Sequence, residues 1–261
     1  MMPPVDVHPL AARGFADNAE AYERGRPPYA AAAIAWVAAE LRLASGATVV
    51  DVGAGTGKLA RALLETGASV VAVEPLESMR RVLARSVPGA QVLAGAAEAI
   101  PLPDDSADAV TAGQAAHWFR PDETIRELER VLRHDGGIAL LWNVPDLDDP
   151  LQARMAELIA PYREGATGDR PGWERGLARR GFTPLEPRRF DHVHELAGED
   201  LTYLVASHSF VGRLSPAERE VVLEQIRALR VSEQVMLHYR TEVYAFRRTS
   251  ARSEPISSSR P

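Results

Sequence analysis

The sequence predicts an α/β fold, a doubly wound and mostly parallel sheet of about seven strands with helices on both faces. Three observations predict it. The β-branched run from Thr48 to Val52 opens into three alternate glycines, Gly53, Gly55 and Gly57, and then into a helical pattern. Short apolar runs alternate with amphipathic ones through residue 145. An acid, Glu74, closes the second apolar run, where open parallel sheets present groups to ligands.

The totals narrow the class further. A chain of 261 residues suits one large α/β domain, or a domain with a small lid. Hydrophobic residues at 46% and charged residues at 25% describe an ordinary globular protein. The net charge of −6 argues against nucleic acid as a main partner. With no cysteine there is no disulfide, no thiolate metal site and no cysteine nucleophile. No apolar run approaches the roughly 20 residues of a membrane helix. Residues 1–9 lack the basic-then-apolar order of a signal peptide, so the expected location is cytoplasmic. Lys58 is the only lysine, and it stands where the glycine-turn helix begins, which sets Schiff-base chemistry aside.

Taken in order, Phe15, Ala19 and Tyr22 have helical spacing within residues 10–26, which predicts a short amphipathic helix. Residues 30–43 form an alanine-rich helix ending at Ser45-Gly46. The first strand covers residues 48–52; Leu59, Ala60, Leu63 and Leu64 then mark a helix whose unpaired N–H groups suit an anionic ligand group. A second strand follows at residues 69–74, a helix at 75–85 with Met79 and Leu83 facing in, and a third strand at 91–94. The fourth strand, residues 106–112, runs into Gly113-Gln114-Ala115-Ala116-His117-Trp118-Phe119 at the tip of the sheet centre. A helix at 123–133, a tight turn at 134–137 and a strand at 138–142 complete a core of residues 30–145.

Past Pro145 the pattern changes. Helices are expected at residues 151–162, 173–180, 201–210 and 216–229, with a flexible connection at 165–171. Residues 188–196 alternate as a strand with His192 and His194 on one face. Two histidines without a third ligand read as solvent-exposed rather than metal-binding. Residues 243–246 make the final strand. The polar tail, 249–261, reads as disordered.

The glycine turn admits three nucleotide-type readings. A phosphate-binding P-loop needs glycine at Val52 and Ser or Thr at Leu59, and has neither. The dinucleotide pattern counted from Gly53 ends on Lys58; counted from Gly55 it ends on Ala60, which is permitted. Asp51 taken with the three glycines gives D-x-G-x-G-x-G. That unit resembles the first motif of class I S-adenosylmethionine-dependent methyltransferases. The segments Tyr22-x3-Arg26-Pro27-x-Tyr29 and His117-Trp118-Phe119 are similar to those of small-molecule methyltransferases of the trans-aconitate and ubiquinone-biosynthesis types. The likeness is specific over residues 15–145.

The resemblance implies a Rossmann-like sheet with an antiparallel final strand, an N-terminal helical lid over residues 1–29, and C-terminal helical insertions within residues 146–248 that complete the sheet and the acceptor pocket. It implies S-adenosyl-L-methionine as cofactor. Asp51, Gly53, Gly55 and Gly57 would hold its methionine part, and Glu74 with Pro75 its ribose. Ala97 and Glu98 would meet the adenine, where the family's usual acid is replaced by Ala96. Gln114 and His117 would lie near the sulfur or the acceptor, with Tyr22 and Arg26 closing over the cofactor. Tyr29, Trp118 and Arg120 would line the pocket of a small organic acceptor, with His117 as candidate base. A carboxylate acceptor would need no base, and Arg26 or Arg120 would orient it. No metal is expected. Asn143-Val144-Pro145 is faintly similar to the Asn-Pro-Pro-Tyr loop of enzymes that methylate amino groups, but it follows the wrong strand. The competing classes are an NAD(P)-dependent oxidoreductase, which lacks its Tyr-x3-Lys pair here, and a non-catalytic S-adenosylmethionine-binding protein.

Overall fold

The computed structural model describes residues 14–15, 18–163, 173–229 and 232–248. The expectations for residues 1–13, 165–171 and 249–261 lie outside the described residues.

Strands β1 (Thr48–Val52), β2 (Ser69–Glu74), β3 (Gln91–Ala94) and β4 (Ala107–Gly113) pair in parallel with β5 (Leu132–Pro145) in the order β3-β2-β1-β4-β5. Strand β8 (Gln234–Arg248) runs antiparallel to β5 and carries β6 (Phe182–Pro184) and β7 (Arg188–Ala197) on its far side. The sheet therefore has eight strands. The additional one, β6, is three residues long and has no periodicity to read.

Alternate side chains bury on opposite faces, as a strand's period of two requires. Val49, Ala72, Ala109 and Leu141 pack under α2 (Ala31–Leu41) and α3 (Lys58–Leu64). Val50, Val73, Val110 and Leu140 pack under α5 (Pro121–Val131) and α7 (Trp173–Ala178). The predicted turn at residues 134–137 is instead a bulge within β5: Ala107 pairs with Leu132, but Ala109 pairs with Gly137. The ladder resumes because Ile138–Leu141 must stay buried, so the extra residues loop out between the two registers.

A third apolar cluster joins α6 (Pro150–Ile159), α8 (Leu201–Ala206), α9 (Ser209–Gly212) and α10 (Pro216–Arg227) to the overhanging ends of β7 and β8. The helix expected over residues 201–210 is broken into two, α8 and α9. Helix α1 (Ala19–Gly25) and Phe15 lie against α4 (Glu77–Ser86) through Met79 and Val82. From α1, residues 25–30 cross the strand ends as a strap. His192 meets the carbonyl oxygen of Pro28 and His194 that of Gly25, each at 3.1 Å. The exposure expected for these histidines is thus corrected: the strap covers them, and His194 is buried.

Candidate active site

The sheet order reverses between β1 and β4, and a crevice opens beyond their carboxyl ends. It holds about 750 Å³ of empty space, counting its mouth. The sequence-predicted Tyr22, Gly53, Gly55, Glu74, Pro75, Ala97, Glu98, Gln114 and Trp118 all line it.

The glycine turn fits for steric reasons. Gly57 has φ +91°, and a Cβ there would lie 2.3 Å from Leu83 Cδ1 and 2.7 Å from Val87 Cγ2. Gly55, at φ +58°, faces open space on the cavity side. Gly57 thus serves packing and is not part of the wall. The turn's own amides are engaged within the protein. The N–H groups of Gly53 and Ala54 donate to the Val73 carbonyl oxygen, that of Gly57 to Ala54, and that of Gly55 to Glu74 Oε2 at 2.9 Å.

Glu74 is the polar focus. It ends β2 and is 5% exposed, with Oε1 accepting from the Leu76 N–H at 2.8 Å and Oε2 from Gly55. Each oxygen keeps a lone pair for a further donor. Burial pushes its carboxyl up to about 7, against the two backbone hydrogen bonds and the Arg80 charge. Asp51 departs from its expected contact. It is fully buried behind the turn, outside the cavity wall, because β1 pairs on both sides. Its Oδ1 accepts from Thr111 Oγ1 at 3.1 Å and its Oδ2 has no partner. Burial, and then the nearby Glu74 charge, push it up to about 7. Two desolvated carboxylates so placed bias the cavity toward a cationic ligand.

The roof is aromatic. Phe15 meets Tyr22 and Trp118 edge-on at centroid distances of 5.9 and 6.0 Å. Arg26 lies behind this roof, its guanidinium 5.4 Å from the Tyr22 ring centre. Its Nε donates to Ser207 Oγ at 2.8 Å, and it has no carboxylate partner among the described residues. Gln114, at the tip of β4, has φ +55°, an uncommon backbone for a residue with a Cβ. Its Nε2 donates to the Asn143 carbonyl oxygen at 2.8 Å.

Three expected acceptor-side residues stand elsewhere. Tyr29 is a core residue whose hydroxyl packs on Gly113. Arg120 is an exposed residue paired with Glu123 at 2.7 Å, while its backbone N–H donates to Glu98 Oε1 at 2.7 Å. His117 is outside the cavity wall, in the short turn Ala116–Trp118. Burial, helped by the Arg26 charge, lowers it to about 4, too weak a base for neutral pH. Lining residues not predicted for the site include Phe15, Met79, Ala115 and Phe119. Phe119 had a signal, its place in the His-Trp-Phe segment, but aromatic residues there read equally well as core.

A doubly wound sheet whose glycine turn, second-strand carboxylate and fourth-strand tip meet at one crevice defines a Rossmann-like nucleotide-cofactor class. Comparison with known proteins sharpens this. Residues 50–140 match the methyltransferase domain family model. An uncharacterized methyltransferase of Mycobacterium tuberculosis is 40% identical over 216 residues, covering 82% of this chain and 84% of the relative. A second, from Schizosaccharomyces pombe, is 32% identical over 212 residues, covering 81% and 84%. A solved structure described as a type II methyltransferase from Anaeromyxobacter dehalogenans shares the fold, with a TM-score of 0.63 at 23% identity over 85% of this chain and 97% of that one. The chain belongs to the class I S-adenosylmethionine-dependent methyltransferase superfamily. No described helix is long and apolar enough to cross a membrane.

Proposed function

We propose that this chain transfers a methyl group from S-adenosylmethionine to a small organic acceptor. The observation that carries the reading is Glu74: a buried carboxylate on the cavity wall, held by two backbone donors and still able to accept two hydroxyls. A ribose diol supplies those hydroxyls. Ala97 and Glu98 flank the adenine end, and Gly53 and Gly55 leave room for the methionine end. Asp51 acts at one remove, through its charge behind the turn. Arg26 is the strap's positive charge without a carboxylate partner among the described residues, and the methionine carboxylate is its proposed partner.

Bound here, the cofactor would supply a methyl carbon already activated by a sulfonium. The protein's task is then to fix the acceptor in line with that carbon and to exclude water. The Phe15–Tyr22–Trp118 roof serves both, and its ring faces and edges suit a small apolar or aromatic body. His117 is not assigned the base role, because its lowered basicity and position offer the acceptor little.

Calorimetry with S-adenosylmethionine, S-adenosylhomocysteine and NADH tests the reading. The first two should bind. Glu74→Ala should weaken both by roughly 10- to 100-fold, the range for hydrogen bonds to a charged group. Tight binding of NADH alone would replace this reading with the oxidoreductase one.

A further inference from the structure

We infer that Asn143 is a positioning residue, joining the strap over residues 25–30 to the Gln114 amide in the cavity wall. The inference rests on the cofactor site proposed above. Asn143 is 7% exposed near the end of β5, and both its side-chain amide and its carbonyl oxygen are engaged. Its Nδ2 donates to the Pro28 carbonyl oxygen at 2.8 Å. Its Oδ1 accepts from Thr241 Oγ1 at 2.6 Å, across the β5–β8 ladder. Thr241 Oγ1 in turn accepts from the Ala30 N–H at 3.1 Å. The Asn143 carbonyl oxygen is the acceptor for Gln114 Nε2.

One residue therefore grips the strap at Pro28 directly and at Ala30 through Thr241, and grips Gln114 with its main chain. The consequence for Gln114 is chemical. With its amide nitrogen bound to β5, its Oε1 is left as the hydrogen-bond acceptor on the cavity side, suited to a ligand ammonium or hydroxyl. The strained backbone at Gln114 is held by the same contact and by its N–H to the Leu141 carbonyl oxygen at 2.9 Å. Tyr29, between the two strap anchors, completes the link by packing its hydroxyl on Gly113. Seating of the strap and aim of the Gln114 amide are thus one event.

The probe is S-adenosylhomocysteine, measured by calorimetry on the full chain. Asn143→Ala should weaken it roughly tenfold, the size of one buried hydrogen bond. In a Gln114→Ala background the same change should cost clearly less than in the wild type, the remainder being the share that the strap loses through Arg26. Thr241→Val should act like Asn143→Ala, and Thr241→Ser, which keeps the hydroxyl, should bind as wild type. The threonine pair decides the matter if Asn143→Ala does not fold. Full additivity of the Asn143 and Gln114 losses, or equal binding by Thr241→Val and Thr241→Ser, overturns the inference. Absence of binding by the wild type overturns the cofactor reading itself and is told apart by that arm.

Discussion

At the scale of single residues, two carboxyl groups dominate. Asp51 and Glu74 are pushed up to about 7 from ordinary values of 3.8 and 4.5. Between those values the folded chain holds more protons than the unfolded one. Their contribution to stability is therefore present at low pH and is lost as pH rises toward 7. His117 and His208 act in the opposite direction. Lowered to about 4 and about 3 from 6.5, they stabilise above 6.5 and lose that contribution as pH falls through their folded values. Asp51→Asn isolates one carboxyl from this balance. In thermal melts from about pH 5 to 8, the variant should gain on the wild type as pH rises. A constant difference in Tm across that range would contradict a raised Asp51.

Asp51 also shows what a motif can and cannot convey. The D-x-G-x-G-x-G spacing located the turn, and Glu74 followed from the next strand tip. That Asp51 faces inward, away from the cavity, depends on which neighbour strands cover it, and β2 and β4 were assigned to neither side by sequence alone.

At the scale of elements, the glycine turn separates packing from binding. Gly57→Ala places a Cβ against Leu83 and Val87 at positive φ, and should cost about 2–4 kcal/mol of stability from backbone strain and overpacking together. Gly55→Ala meets no neighbour, so only the backbone cost of about 1–2 kcal/mol applies. Its methyl would instead intrude on the ligand side. Denaturant unfolding and S-adenosylhomocysteine titration of both variants should therefore show opposite orders of damage. Equal stability losses would remove the distinction. Other elements were less legible. Alternation marked β7, yet the burial of His194 follows from a strap 169 residues away in sequence. The left-handed backbone at Gln114 carries no sequence signal, because glutamine does not favour it.

At the scale of the whole molecule, α1 is clamped to three other helices or their approaches by charge. Glu20 pairs with Arg85 on α4 and Glu23 with Arg61 on α3, both at 2.6 Å. Arg24 pairs with Asp200, just before α8, at 2.6 Å. Glu20–Arg85 is exposed on both sides, and the other two pairs each keep an exposed arginine, so each is worth little singly and is weakened by salt. Trypsin cleavage at Arg24 should accordingly speed up in high salt and slow down when S-adenosylhomocysteine is present. Cleavage indifferent to that ligand would mean that α1 does not close over the cavity.

The sequence by itself determined the α/β class, the strand-turn-helix that carries the glycines, and the carboxylate one strand over. These are local: they follow from periodicity, β-branching and spacing within about 30 residues. Only the tertiary structure decided that His117 and Arg120 leave the cavity, that His192 and His194 bind the strap, and that Asn143 joins strap to wall. The strap contacts among them rest on hydrogen bonds between residues far apart in sequence, 115 positions for Asn143 to Pro28 and 169 for His194 to Gly25. Local hydrophobic patterning carries no record of such partners, because the sheet order and the path of the strap choose them.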